Sequence, residues 1–470
     1  MKAIRTASSE MPVNDGIADK ARRHLVQPWP TVAAIGNEVR TVLTRSDGIY
    51  VFDENERRLI DGPAGMWCVQ IGHRRAEMAR AVAEQIMTLD YYSPWYTTAA
   101  PAAELAARIA AYAPGDLQHV FFTTDGSTAV DSALRFVQFY NNVLGRPDKK
   151  LIISRQNAYH GSTYLTAACC GKPRDKGFAD EASHLVRRIS SPYPYRRPAG
   201  MSVEAFCDFL VEELERTILE LGPNRVACFV AEPILASGGV IVPPEGYHRR
   251  MEEVCRKYDV LTISDEIVTG FGRLGHVFAS EPVFGLAPDI ITFAKGVTSG
   301  YVPLGGMIVS ARLVDEMKAT DHGAVMFAHG FTYSSHPVSC AAGLANLDII
   351  EREGLLRHVR EIAPYFQARL RELAELPIVG EVRGMGLMAC VECVSDRASR
   401  EPLALDQEVG RRIDRHCQEL GLMVRPMGHL CVMSPPLIIE RSQIDDMVAI
   451  LKEGIERTQA DLRREGLWNG

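Results

Sequence analysis

Two charged residues stand where strand-like apolar runs end. Lys295 follows "DIITFA" and is followed at once by the small residues of "KGVTSG", and Asp265 closes the run "VLTIS". A buried ammonium costs several kcal/mol unless it is paired or neutralised, so Lys295 requires either a partner or a chemical use. Roughly one strand-helix-strand step separates the two positions, which sets them on nearby strands of a sheet. Two readings follow. A lysine and a carboxylate at a sheet edge can form a plain structural ion pair. Alternatively, the lysine forms a Schiff base with the aldehyde of pyridoxal phosphate, while the aspartate keeps the pyridine nitrogen protonated so that the ring acts as an electron sink. The second reading accounts for the burial, because an imine-linked lysine escapes much of the cost of an unpaired charge.

Other stretches carry compatible chemistry. "FFTTDGSTAVDSALRFVQFY" is a strand running into Asp125, Gly126, Ser127 and Thr128 and then into an amphipathic helix. A helix N-terminus with free amides beside a glycine suits a phosphate. The same residues also make an ordinary helix cap. "SRQNAYHGSTYLT" puts Tyr159 and His160 in a loop, where the tyrosine either plugs the surface or stacks on a planar cofactor, worth about 0.5–1.5 kcal/mol beyond burial.

The elements that must position these groups are legible between residues 100 and 310. There, apolar runs of strand length ("HVFFTT", "KLIISRQ", "VACFVAEP", "VLTISDE", "DIITFA", "GGMIVS") alternate with helical patterns, the signature of βα units around a mostly parallel sheet. "SVEAFCDFLVEELERTILELG" begins at serine and ends at glycine, and "PEGYHRRMEEVCRKYD" opens on proline. In open α/β sheets ligands gather at the carboxyl ends of strands, so Glu232, Asp265 and Lys295 converge on one crevice. After "HPVSCAAGLANLDIIEREGL" the pattern changes to long charged helices and shorter strands. The expected organisation is an α/β large domain over 71–340, with a smaller α+β domain formed by 341–470 and the N-terminal segment 1–70.

Composition removes several function classes. The chain has 470 residues, 46% of them apolar, and a formal charge of -7, which provides no basic face for nucleic acid or an anionic membrane. Its 11 cysteines fall largely in apolar runs, and Cys390 and Cys393 lack the second pair or flanking histidine of a zinc site, so no metal is expected. "MKAIRTASSEMPVNDGIADK" lacks the apolar stretch of a signal peptide, and no later run has the ~18 apolar residues of a membrane span. A reduced, cytoplasmic chain is expected. No strand enters a Gly-x-Gly-x-x-Gly turn with an acidic residue ~20 positions on, which argues against a dinucleotide-dependent oxidoreductase.

"SDEIVTGFGRLG", "PDIITFAKGVTSGYVPLGG" and "HGFTYSSHPVSCAAGLANLDII", in this order, resemble the class III pyridoxal-phosphate aminotransferases, closest to the ω-amino acid or amine:pyruvate transaminase branch. The resemblance spans nearly the whole chain and implies the type I aminotransferase fold with pyridoxal 5'-phosphate. It makes Lys295 the Schiff-base lysine and proton-transferring base, and Asp265 the partner of the pyridine nitrogen. It packs Ile267 and Tyr159 on the two ring faces, adds Glu232 to the cofactor site, and sets Gly126 and Ser127 on the phosphate. Thr332 would reach in from the partner subunit, which implies a homodimer with shared active sites, or a tetramer built from two such dimers. Arg425 in "GLMVRPMG" matches the arginine that clamps a substrate carboxylate, and Trp67 in "GMWCVQIG" the wall of the substrate pocket; a solvated surface arginine and a core tryptophan are the competing readings. The implied reaction is ping-pong transfer from an amine or ω-amino acid to a keto acid, with pyruvate favoured. An aminomutase or decarboxylase on the same scaffold is the alternative.

This chain also departs from its relatives. Many carry Ser-Gly-Ser-Glu-Ala-Asn where it reads Asp125, Gly126, Ser127, Thr128, Ala129 and Val130. Relatives that use ornithine or γ-aminobutyrate carry a glutamine and a glutamate where this chain has Leu235 and Ser237. The backbone amides and Ser127 are expected to preserve phosphate binding. The missing glutamate leaves Arg425 to swing aside when an amine without a carboxylate enters.

Overall fold

Residues 117–310 form one seven-stranded sheet in the computed structural model, which describes residues 16–177, 179–404 and 407–469. The segment up to residue 15, where the signal-peptide question chiefly falls, lies outside the described residues. The strand order across the sheet is Leu117–Thr123, Gly305–Ser310, Ile290–Phe293, Leu261–Asp265, Val226–Ala231, Leu151–Arg155 and Val186–Ile189. Only Gly305–Ser310 runs against the rest; it pairs antiparallel with both neighbours, and every other adjacent pair is parallel. The last strand, with two arginines among four residues, carries too weak an apolar pattern to be marked from sequence.

Both faces of this sheet are covered, which is why its central strands read as unbroken apolar runs. Leu261–Asp265, Val226–Ala231 and Ile290–Phe293 are buried at every position. Alternation by one residue decides the face. Ile152, Cys228, Ile290 and Met307 pack with Val130, Leu134 and Val137 of helix Gly126–Val143. Their neighbours face the other way: Ile153 and Phe229 meet helices Val203–Leu221 and Tyr247–Lys257, and Ile291 and Ile308 meet Ala100–Tyr112 and Pro337–Arg352. Each such side chain contributes about 1.5–3 kcal/mol of burial. Helix Val203–Leu221 starts and stops where its ends predict: the Ser202 side chain accepts from the Ala205 amide, and Gly222 follows at φ 90°.

The C-terminal region builds a separate sheet in the order Val379–Met385, Met388–Asp396, Leu430–Met433, Arg425–Met427, with Glu401–Pro402 beside the second strand. Helices Leu355–Arg371, Val409–Leu420 and Arg441–Arg464 cover it. The N-terminal strands join this part of the molecule. Arg58–Asp61 pairs parallel with Leu422–Met423, and Ile49 and Ile60 enter the same core as Phe366 and Leu451. The buried guanidinium of Arg273 ties the two sheets together, donating to the carbonyls of Leu387, Ser434 and Pro435 and to Gln70. Among the described residues no helix is long and apolar enough to cross a membrane.

Candidate active site

The strand ends do converge. Asp265 closes its strand, Glu232 follows Val226–Ala231 by one residue, and Lys295 stands two residues beyond Ile290–Phe293. All three line an open cavity of about 1640 Å³. Lys295 adopts φ 44°, a left-handed conformation that costs a β-carbon-bearing residue of order 1 kcal/mol. Lys295 opens the short turn Lys295–Thr298. Its amine makes no hydrogen bond or ion pair among the described residues, so the plain ion pair with Asp265 is not formed. Burial pushes the ammonium below the ordinary lysine value; Cys68, Asp265 and Glu232 partly restore it, while Arg425 opposes it further.

Asp265 is held from two sides. Nδ1 of His160 lies 2.7 Å from its Oδ2, and the Ile267 amide donates to its Oδ1 at 3.2 Å. His160 is itself buried, its amide donates to Cys170 Sγ, and among the described residues its Nε2 has no partner. Both oxygens of Glu232 are taken by backbone: Oε1 accepts from Tyr159 and Oε2 from Ala236. Burial raises the Glu232 carboxyl above its ordinary range.

The phosphate loop differs from expectation in one respect. The amides of Ser127 and Thr128 are not free: the Asp125 carboxylate accepts both, at 2.7 and 3.1 Å, and Thr128 closes the capping box by bonding back. The cause is the Asp125 substitution, since a carboxylate at the helix start finds the positive end of the helix dipole. What remains is Gly126 and the Ser127 hydroxyl. That hydroxyl accepts from the Ser162 amide at 3.1 Å, keeping its own hydrogen for an acceptor in the cavity. Gly126 is required, because a Cβ there would meet Ile267 Cδ1 at 2.8 Å. Val130, the other departure, packs into the sheet core.

Farther out, aromatic faces carry cations. Trp67, 1% exposed and at φ 63°, belongs to an apolar cluster with Ile234 and Met388, and it also lines the cavity. Arg425 is not a solvated surface residue. It opens strand Arg425–Met427, its guanidinium carbon lies 5.4 Å from the Trp67 ring centre, and it contacts Met66 Sδ. Tyr159 and Ile267 line the same cavity. Leu235 is fully buried beside Ala158 and Ile241, and Ser237 faces the cavity while its carbonyl accepts from Lys172. Thr332 is exposed, does not line the cavity of its own chain, and accepts from the Tyr91 hydroxyl.

Sequence reasoning left three participants without a role. His160 was visible beside Tyr159, but only the fold brings it to Asp265, 105 residues on. Trp29, in "QPWPT", lies 6.0 Å from the Tyr159 ring; a tryptophan between prolines was its one signal. Lys172, 5.3 Å from the same ring, gave none.

These residues fit pyridoxal 5'-phosphate. An unpartnered amine stands beside a carboxylate fixed by histidine, Gly126 leaves room beside Ile267, and a serine hydroxyl has a hydrogen to give. Among the described residues no cluster could hold a metal ion.

The family model for class-III aminotransferases matches residues 32–455. The chain is 39% identical over 442 residues to a putrescine–pyruvate aminotransferase of Pseudomonas aeruginosa, covering 94% of this chain and 96% of the relative. A diaminobutyrate–2-oxoglutarate transaminase of Halomonas elongata is 40% identical, with 92% and 94% covered. Among solved structures, an omega transaminase of Pseudomonas jessenii in complex with PMP superposes with TM-score 0.91 at 36% identity, covering 95% of this chain and 99% of that one. An (S)-enantioselective omega-transaminase of Thermomicrobium roseum gives 0.89 at 39%, covering 95% and 98%. With the fold, the strand-end lysine and these likenesses in agreement, the chain belongs to the class-III aminotransferases, pyridoxal-phosphate enzymes that transfer an amino group from a donor to a keto acid.

Proposed function

We propose that this aminotransferase takes primary amines, diamines or ω-amino acids as donors and pyruvate as acceptor. The observation that carries the reading is Arg425. It lines the same cavity as Lys295 and lies over an aromatic face, and at Ser237 there is no carboxylate to hold it as there is in ornithine- and γ-aminobutyrate-using relatives. A planar guanidinium there suits the carboxylate of a keto acid. Its seat on Trp67 lets it withdraw when the donor has no carboxylate. The named relatives that act on putrescine and diaminobutyrate support diamine donors.

When bound, pyridoxal phosphate supplies the electron sink that lets a bond at the amino carbon break. The chain's residues do the rest. Lys295 moves the proton through Nζ, and its burial-lowered pKa keeps more of the amine neutral near neutral pH. Asp265, oriented by His160, would keep the ring nitrogen protonated; Ile267, Tyr159 and Glu232 would line the place of the ring, and Gly126 and Ser127 would receive the phosphate. Trp67 walls the substrate side. Thr332 completes the phosphate site of the partner subunit in a cytoplasmic homodimer or a tetramer built from two such dimers, which its exposure outside its own cavity supports. Residues 71–340 carry the cofactor, and 1–70 with 341–470 form the smaller domain.

A panel of amines, diamines, ω-amino acids and α-amino acids, each incubated with pyruvate and holoenzyme and read by alanine formation, tests the reading. Alanine from donors lacking an α-carboxylate is the expected result. Turnover confined to α-amino acids, or to 2-oxoglutarate as acceptor, overturns it.

A further inference from the structure

Glu232 is engaged in a way that the transfer reaction does not by itself require. It is 5% exposed, and its two oxygens each accept one backbone amide at 3.0 Å. Those amides belong to different loops. Tyr159 heads the turn that also carries His160, and Ala236 adjoins Ser237, which lines the same cavity. Directly behind stands Arg155, the fully buried last residue of Leu151–Arg155, whose Nη2 donates to the Glu232 carbonyl oxygen at 2.5 Å. Among the described residues no carboxylate lies within ion-pair distance of Arg155, and its Nε and Nη1 have no partner. Its guanidinium carbon lies 5.9 Å from the Tyr247 ring centre, and a guanidinium this deeply buried with no carboxylate in contact is strongly unfavourable unless its field also serves an anion.

We infer that Arg155 and Glu232 are positioning residues acting as a latch: Arg155 keeps the Glu232 carboxylate ionised, and the ionised carboxylate ties both cavity loops to the strand ends. Only the anion can do this, because it offers an acceptor oxygen to each amide, whereas the neutral acid presents a hydroxyl hydrogen to one of them. The charged and titratable groups facing the carboxyl are His160, Asp265, Arg155, Lys295 and Cys170. Burial and Asp265 favour the neutral form; His160, the Tyr159 amide and Arg155 favour the anion. The position of His160, and through it of Asp265, then depends on Arg155, which does not line the cavity. This inference stands on the cavity's geometry and is independent of which donor is used.

Amide hydrogen exchange of the full-length holoenzyme, resolved at Tyr159 and Ala236 and corrected for intrinsic rate across mildly acidic to mildly basic pH, tests it. Glu232→Gln keeps the shape but offers one acceptor oxygen, so protection should fall about tenfold at one of the two amides and lose its dependence on pH. Arg155→Gln keeps a donor for the Glu232 carbonyl oxygen without the charge. It should move the pH at which both amides lose protection upward by about one unit, and Arg155→Lys should restore it. Unchanged protection in Glu232→Gln, or an unmoved midpoint in Arg155→Gln, overturns the latch. If Arg155→Gln fails to fold, wild type and Glu232→Gln decide: the same pH profile in both overturns it, and loss of the profile in the variant supports it.

Discussion

At the strand ends, Asp265, His160 and Glu232 each have fixed partners within the chain; at the rim, Trp29, Met66 and Arg425 rest on aromatic or thioether faces and partly on solvent. Asp265 and Glu232 stand at the ends of fully buried strands and His160 in a buried loop bonded to Asp265, where hydrogen bonds set geometry to within tenths of an ångström. The rim residues come from a non-strand N-terminal segment and from a three-residue strand, where contacts over ring faces tolerate displacement at little cost. The contrast suits a two-stage reaction. Proton transfer requires one geometry for every substrate, whereas two unlike substrates must enter through the same opening.

The comparison breaks most readily at Lys295. Lys295→Ala removes the amine proposed to move the proton, and single-turnover absorbance should show both half-reactions slowed by at least about 10³-fold while the fold persists. Because burial disfavours the ammonium, cofactor capture by apoenzyme should accelerate with pH through a midpoint below the ordinary lysine value of 10.5. A midpoint at or above that value would mean that the amine is solvated. Asp265→Asn should follow, retaining cofactor while losing about a hundred-fold or more in turnover, since an amide cannot hold a proton on the ring nitrogen. Turnover within a few-fold of wild type would remove Asp265 from the mechanism.

Sequence alone was informative where chemistry and secondary structure coincide. Lys295 and Asp265 were readable because a charge ending an apolar run contradicts its surroundings, and six of the seven strands of the large sheet because burial on both faces leaves unbroken apolar runs. Val186–Ile189 was not, since an edge strand with two exposed or half-exposed arginines has no such run. The helix cap at Asp125 was a legible alternative, but which acceptor the amides choose is decided in three dimensions. His160 with Asp265, Arg155 with Glu232 and Trp29 with Tyr159 are pairings between distant segments. No local pattern encodes them, because they exist only once the strands are in register.

A smaller effect is expected at the rim. Arg425→Ala should cost roughly 1.5–3 kcal/mol, about ten- to a hundred-fold, in the pyruvate half-reaction, where the guanidinium is proposed to meet a carboxylate. The half-reaction of an amine without a carboxylate should change little. Equal losses in both would assign Arg425 to support of Trp67 rather than to the acceptor.

The smallest expected effect belongs to Trp29, and it sharpens the comparison because Trp29 is the rim residue least anchored by the fold. It is 60% exposed, at φ 60°, and its ring meets Tyr159 at 6.0 Å and an interplanar angle of 56°. An aromatic contact of that kind is worth about 0.5–1.5 kcal/mol, which corresponds to a two- to roughly ten-fold change. Since Trp29 packs little of its surface, Trp29→Ala should leave the melting temperature within a degree or two. The loss should appear in KM for donors with an aromatic or long apolar body, which can use the ring, and not for pyruvate, which is too short to need it. Steady-state KM measured for a graded donor series and for pyruvate separates the outcomes. A graded rise confined to bulky donors assigns Trp29 to donor recognition. An equal rise for every substrate would mean that Trp29 acts by steadying Tyr159, so that the adaptable rim begins one residue farther from the chemistry than the contrast between the two ends now places it.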